Sequence, residues 1–195
     1  GKNGANTVGA GSTLQMEADV RPAAATNKKV TWSITSGAAY GSIDENGLLT
    51  AKDKGSIQIQ AVSENGKIKS NKYIVKVTMP SSELKIYNTN PTVKVGSELR
   101  INKTTSKTAS TGFIILPTNS DDTVTWTTDR PDLVNVSYDT SKVVIKGLAA
   151  GKATITGTTT SGVKASVEVT VLGQGQSADG SSQNGSGNNG NGSNG

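Results

Sequence analysis

Histidine and cysteine do not occur in this 195-residue sequence. Their absence removes Ser-His-Asp and Cys-His catalysis, thiolate chemistry, disulfide stapling and the usual nitrogen and sulfur ligands of zinc. Aromatic residues are scarce, at one Phe, two Trp and four Tyr. A core must therefore be assembled from Val, Ile, Leu and Ala in thin layers, which suits two β-sheets packed about 10 Å apart. No run of about 20 apolar residues is present to span a membrane, and no long stretch repeats apolar residues at helical spacing.

What the chain does have is Thr, Ser, Val and Ile in quantity together with 23 glycines, the composition of strands and turns. The net charge of +5 raises the question of nucleic acid. Residues 1–79 carry ten Lys or Arg against six Asp or Glu, and residues 80–173 carry ten against eight. These charges stand singly along the chain, without a basic run and without interleaved aromatics that stack on bases, so no nucleic-acid partner is expected.

The organising feature is an internal repeat. The segment TVGAGSTLQM at 7–16 matches TVKVGSELRI at 92–101 without a gap, and ADVRP at 18–22 matches FIILP at 113–117. KVTWSI at 29–34 matches TVTWTT at 123–128, which aligns Trp32 with Trp126. GLLTAKDKGSIQIQA at 47–61 then matches VVIKGLAAGKATITG at 143–157, and KYIVKV at 72–77 matches SVEVTV at 166–171. Five blocks in one order describe two copies of one fold. Alternation such as Val30-Thr-Trp32-Ser-Ile34 and Val167-Glu-Val169-Thr-Val171 buries one strand face and wets the other. Asn46-Gly47, Asn65-Gly66, Ala150-Gly151 and Ser161-Gly162 mark the turns between. Seven or so short strands per copy make an all-β chain of two tandem immunoglobulin-like sandwiches, with domains at 1–79 and 80–173 and a short joint near Met79–Ser82.

The copies differ in two places. The offset between them is 85 residues up to Met16 and 95 from Ala18, so the second copy has ten extra residues within 102–112. This polar, Lys/Thr/Ser-rich insert is expected to leave the sandwich as a loop or hairpin extension. The second copy also opens with a strand, LKIYNT at 84–89, for which the first has no counterpart, because Gly1 aligns with Ile86. The expectation is a first domain lacking its first strand, cut from a longer protein whose targeting segment lies upstream. Residues 174–195, almost all Gly, Ser, Asn and Gln, read as a flexible linker or tail.

The blocks resemble the group 2 bacterial immunoglobulin-like domains. The family pattern is matched by Gly11, Val30-Thr31-Trp32-Ser33, Asn46-Gly47-Leu48-Leu49-Thr50-Ala51, the strand from Gly55 and Val75-Lys-Val77. It recurs as Val95-Gly96, Val124-Thr125-Trp126, Ala150-Gly151 and Val169-Thr-Val171. The second copy departs from it with Val143 in place of the turn glycine Gly47, and Asp139-Thr-Ser-Lys142 is expected to make that turn. The resemblance implies an immunoglobulin-like fold in an extracellular setting: adhesins, surface-layer or cell-wall proteins, accessory modules of secreted glycan-active enzymes, and phage virion proteins. One fold hosts many roles, so it does not fix one activity.

Candidate chemistry is correspondingly thin. The carboxylates at Asp44-Glu45, Asp121-Asp122, Asp129 and Asp132 fall in turns, where Asp closes Asx-turns, and no catalytic residues and no cofactor are expected. Asp121, Asp122, Asp129 and Asp132 are the carboxylates best grouped for calcium, a hard cation that takes oxygen ligands. Trp32 and Trp126 belong to the inter-sheet core rather than to a sugar platform. The insert residues Lys103, Thr104, Thr105, Ser106, Lys107 and Thr108 are the candidate partner-contact loop. The chain therefore reads as a non-enzymatic spacer or adhesive module of a bacterial surface or secreted protein, monomeric as a fragment. Its partners would be neighbouring domains of the parent protein and a cell-surface protein or glycan. The alternatives are a carbohydrate-binding accessory module and a phage decoration or tail domain.

Overall fold

The computed structural model describes residues 1–176. Most of the segment read as a tail, from 177 on, lies outside the described residues. Contacts divide the chain into two compact units: Gly1–Ser82 with Ile115–Asp122, and Glu83–Ile114 with the chain from Thr123 onward. This division follows the repeat except at Ile115–Asp122, which groups with the first unit although it belongs to the second copy.

The first unit is a sandwich of two sheets. One holds β1 (Thr7–Gly9), β7 (Tyr73–Thr78), β6 (Gly55–Ser63) and β3 (Val30–Ser36), in that order. The other holds β2 (Thr13–Gln15), β5 (Leu48–Ala51) and β4 (Gly41–Ile43). β1 runs parallel to β7 with Val8 opposite Val77, and the long pair β3–β6 sets Trp32 opposite Ala61 and Ile34 opposite Ile59. Period-two alternation turns Ile57 and Ile59 of β6, and Val75 and Val77 of β7, toward the opposite sheet, where Leu49 and Ala51 of β5 meet them. Burying each such side chain contributes about 1.5–3 kcal/mol. Trp32, Ile34 and Leu14 border this core half-buried.

The turn before β5 shows why a glycine stands there. Asp44 Oδ1 accepts the N–H groups of Asn46 at 2.9 Å and Leu48 at 2.7 Å, and Gly47 takes φ +78°. A Cβ on Gly47 would also lie 2.6 Å from Trp32 Nε1. Gly47 thus satisfies two demands at once, a left-handed backbone and close approach of the indole.

In the second unit, β12 (Val124–Thr128), β15 (Gly151–Thr159), β16 (Lys164–Leu172) and β9 (Thr92–Lys94) form one sheet. The other strands are β10 (Glu98–Asn102), β14 (Lys142–Gly147) and β13 (Val134–Tyr138), and the pair β8 (Glu83–Ile86) and β11 (Phe113–Leu116), the last two residues of β11 being those that group with the first unit. Val143 is fully buried where the first copy has Gly47, and the turn is made by Asp139, whose Oδ1 accepts Ser141 N at 2.6 Å and Lys142 N at 3.0 Å. Trp126 is 4% exposed, and Phe113 meets it edge-on with ring centroids 5.0 Å apart.

One repeat block does not become a strand twice. FIILP supplies β11, but ADVRP at 18–22 is irregular and largely exposed. β11 exists because it pairs with β8 and carries Phe113, Ile114 and Ile115 into the core. The first copy offers Ala18, Asp19 and Val20 at the aligned positions. Without the apolar anchors that Phe113, Ile114 and Ile115 supply, the segment does not extend as a strand. For the same reason the two indoles differ, Trp126 buried and Trp32 only half-buried.

Trp126→Ala is expected to destabilise the second unit by about 3–5 kcal/mol, with Trp32→Ala costing the first distinctly less. Gly47→Ala should cost the first unit about 1–3 kcal/mol through its positive φ and the indole clash. Urea unfolding followed by NMR, which resolves the units separately, checks all three.

Candidate functional site

The insert singled out by the repeat is an exposed loop with a pinned neck. Lys103 N donates to Ser141 O at 2.6 Å, and Thr104 N donates to Phe113 O at 2.8 Å, so both ends are stitched to the sandwich. Asn88 Oδ1 accepts Gly112 N at 2.7 Å. Gly112 adopts φ +103°, and a Cβ there would stand 2.6 Å from Asn102 O. Within the loop, Thr104 Oγ1 accepts Ser106 N at 3.1 Å, and Ser106 Oγ lies 3.3 Å from Thr108 Oγ1. Thr104 is half-buried, while Lys103, Thr105, Ser106, Lys107 and Thr108 are exposed. Neither Lys103 nor Lys107 makes an ion pair among the described residues. The six candidate residues therefore share one short, cationic, hydroxyl-rich surface.

The four carboxylates considered for calcium are each engaged locally. Asp121 accepts Met79 N at 2.8 Å and pairs with Lys54 Nζ at 2.5 Å, contacts that hold its pKa below the ordinary carboxylate range. Asp122 accepts Ser81 N at 2.9 Å and the Ser81 hydroxyl. Asp129 accepts Thr154 N at 2.7 Å, and Asp132 forms a two-point pair with Arg130 at 2.9 and 2.7 Å. Asp121 and Asp122 belong to the first unit and Asp129 and Asp132 to the second. Among the described residues no three His, Cys, Asp or Glu are grouped to hold a metal ion.

Two of the exposed aromatics, Tyr40 and Tyr73, are held by neighbouring structure. Tyr40 lies over Gly55, whose Cβ would stand 2.5 Å from the ring. Tyr73 Oη donates toward the carbonyls of Gly4 and Ala5, each at 3.1 Å.

One feature escaped sequence reasoning. Beside Trp32 the first unit has a cleft of about 300 Å³ lined by Met16, Ala18, Asp19, Ala61 and Tyr73. It adjoins a second cleft of about 200 Å³ that shares Ala18, Asp19 and Ala61 and extends to Val20 and Ile68. The signal was in the repeat alignment: Ala18 stands where the second copy has Phe113.

The turn carboxylates make a testable statement about pH. Lys142 Nζ at 2.6 Å, followed by the Ser141 hydroxyl and N–H, pulls the Asp139 pKa far below its ordinary value. A carboxyl whose folded pKa is depressed stabilises above its unfolded pKa of about 3.9, and that contribution is lost as pH falls toward the folded value. Asp139→Asn should thus lower the melting temperature of the second unit at pH 7. The difference from wild type should shrink steadily below about pH 4, as followed by circular dichroism melts across pH.

Comparison with known proteins agrees with this architecture. An uncharacterised protein of Clostridium acetobutylicum is 32% identical over 151 residues, which are 77% of this chain and 14% of that protein. Tail tube protein pb6 of Escherichia phage T5 is 36% identical over 74 residues, 37% of this chain and 16% of that protein. The chain thus spans less than a fifth of the length of either relative. Among solved structures, domains 4 and 5 of the S-layer protein SbsC are 16% identical with a TM-score of 0.38, over 74% of this chain and 71% of that one. Residues 3–74 and 84–171 each match the model of the bacterial Ig-like domain, group 2. The chain belongs to that family and carries two tandem copies of its domain.

Proposed function

We propose that this domain pair is a non-catalytic structural and adhesive module of a larger bacterial surface or secreted protein. It spaces and presents neighbouring domains, and the loop at 103–112 contacts a cell-surface protein or glycan. The observation that carries the reading is the duplication itself. One sandwich is built twice, and the ten-residue polar addition to one copy is an exposed loop on a pinned neck. Rigid sheets below and unpaired lysines above are the arrangement in which a scaffold positions a recognition loop. The much greater length of both curated relatives supports a role as one element of an array.

A second reading, a domain of a phage virion, is favoured by the 36% identity to the phage T5 tail tube protein over 74 residues. The genes flanking the parent gene distinguish it.

Deleting residues 104–111 should abolish binding of the labelled chain to intact bacterial cells while leaving its melting temperature nearly unchanged. Retained binding would refute the loop's role. Placed between two fluorescent proteins, the pair should give a narrow distance distribution by single-molecule energy transfer. A distribution as broad as that of a Gly/Ser linker of equal length would refute the spacer.

A further inference from the structure

The loop at 103–112 is rich in hydrogen-bond donors and holds no anion of its own. Its ten residues include two lysines and six hydroxyls, with no carboxylate. The N–H groups of Thr105, Lys107, Ala109, Ser110 and Thr111 donate to no acceptor among the described residues. Lys103 stands at the neck and Lys107 in the turn at 107–108. The negative charge nearest the neck is already taken. Lys103 N donates to Ser141 O, which sets the neck beside the Asp139–Lys142 turn, and there Asp139 is occupied by Lys142 Nζ at 2.6 Å and by the N–H groups of Ser141 and Lys142. At the loop's exit Tyr87 N donates to Gly112 O at 2.8 Å, and Lys85 Nζ lies over the Tyr87 ring, 5.1 Å from its centroid. Lys85, Lys103 and Lys107 thus flank one loop, and none of them has a carboxylate partner among the described residues.

These groups discriminate among partners. Protein surfaces are gripped through aromatic and aliphatic anchors, and the one apolar side chain in the loop is the half-buried Ala109. Neutral ligands are held against apolar and aromatic walls. The loop has no aromatic residue, and the Tyr87 ring at its exit already carries Lys85 on one face. Oxyanions suit it, because ammonium and N–H donors make their strongest hydrogen bonds to charged oxygens. Thr104, Thr105 and Ser106 separate the two loop lysines, and Lys85 belongs to a different strand, so the positive charge is spread along the surface. Spread charge matches an anion repeated along a chain, from which counterions are released as each group is neutralised.

We propose that the loop binds a polyanionic glycopolymer of a cell surface, one whose phosphodiester or carboxylate groups recur along the chain. Lys103, Lys107 and Lys85 supply the charge, and the free N–H groups of Ala109, Ser110 and Thr111 supply directional donors. The assignment rests on the adhesive reading given above and specifies its ligand class.

The test uses the full chain and three probes of equal length: a glycerol phosphate oligomer, a galacturonate oligomer and a neutral glucose oligomer. Calorimetry should show saturable binding of at least one anionic probe, with NMR shifts at the amides of Thr105, Lys107 and Ala109–Thr111. Raising the salt from about 50 to about 200 mM should weaken binding by about tenfold, the loss that accompanies two or three neutralised charges. The double variant Lys103→Gln/Lys107→Gln should lose about tenfold or more with its melting temperature unchanged, whereas Lys94→Gln, on β9 in the other sheet, should bind as the wild type does. Binding of the phosphate probe alone, or of the galacturonate probe alone, supports the proposal and identifies the repeating group. Binding of neither, equal binding of the neutral probe, or affinity that the double variant retains overturns it. Attachment to intact cells separates the two levels of the reading. Attachment that is lost on deleting residues 104–111 but kept by the double variant overturns the polyanion and leaves the adhesive role standing, and attachment kept after the deletion overturns both.

Discussion

Each sandwich packs against a single indole, and covering that indole from the opposite sheet is the constraint on which the rest depends. With seven aromatic residues in the whole chain, neither sandwich can bury a broad aromatic interior. The sheets instead approach on Val, Ile, Leu and Ala, and one large ring per unit sets how far the facing elements must reach. In the second unit Phe113 reaches it edge-on, and the core closes to 4% exposure of Trp126. In the first, Gly47 lets the β4–β5 turn come within van der Waals distance of one side of Trp32, and the other side stays open to the cleft. The same sequence pattern thus leaves Trp126 buried and Trp32 half-buried.

Most of the fold was legible because alternation and turn chemistry act locally. Ile57, Ile59, Val75 and Val77 alternate with polar residues, and their burial follows from the pleat alone. Asp139–Lys142 was recognisable as a turn because a short carboxylate can accept nearby backbone N–H groups with no help from tertiary structure. Ala18–Pro22 was not legible, because strand formation there depends on a neighbour distant in sequence. The same limit applied to Ile115–Asp122, whose grouping with the first unit no periodicity encodes. The candidate loop was legible from the repeat offset alone, though the hydrogen bonds that pin its ends were not.

The acidic residues illustrate how similar composition serves different ends. A carboxylate in a loop can hold a cation or can replace missing backbone partners, and proximity in sequence does not separate the two. In this chain Asp44, Asp129 and Asp139 all accept main-chain N–H groups at hairpins or strand ends. Their charge is spent on fixing loop geometry, which in turn keeps the short strands in register.

The stitched ends of the 103–112 loop also bear on how such a protein can change over generations. Because the two hydrogen bonds at its base fix the entry and exit points, the free-energy penalty for lengthening the segment between them grows only logarithmically, at about 0.6 kcal/mol per doubling. Insertions and replacements at the tip leave the sheet ladders untouched. The same base can therefore host successive graftings, so that target preference drifts while the architecture beneath is inherited intact.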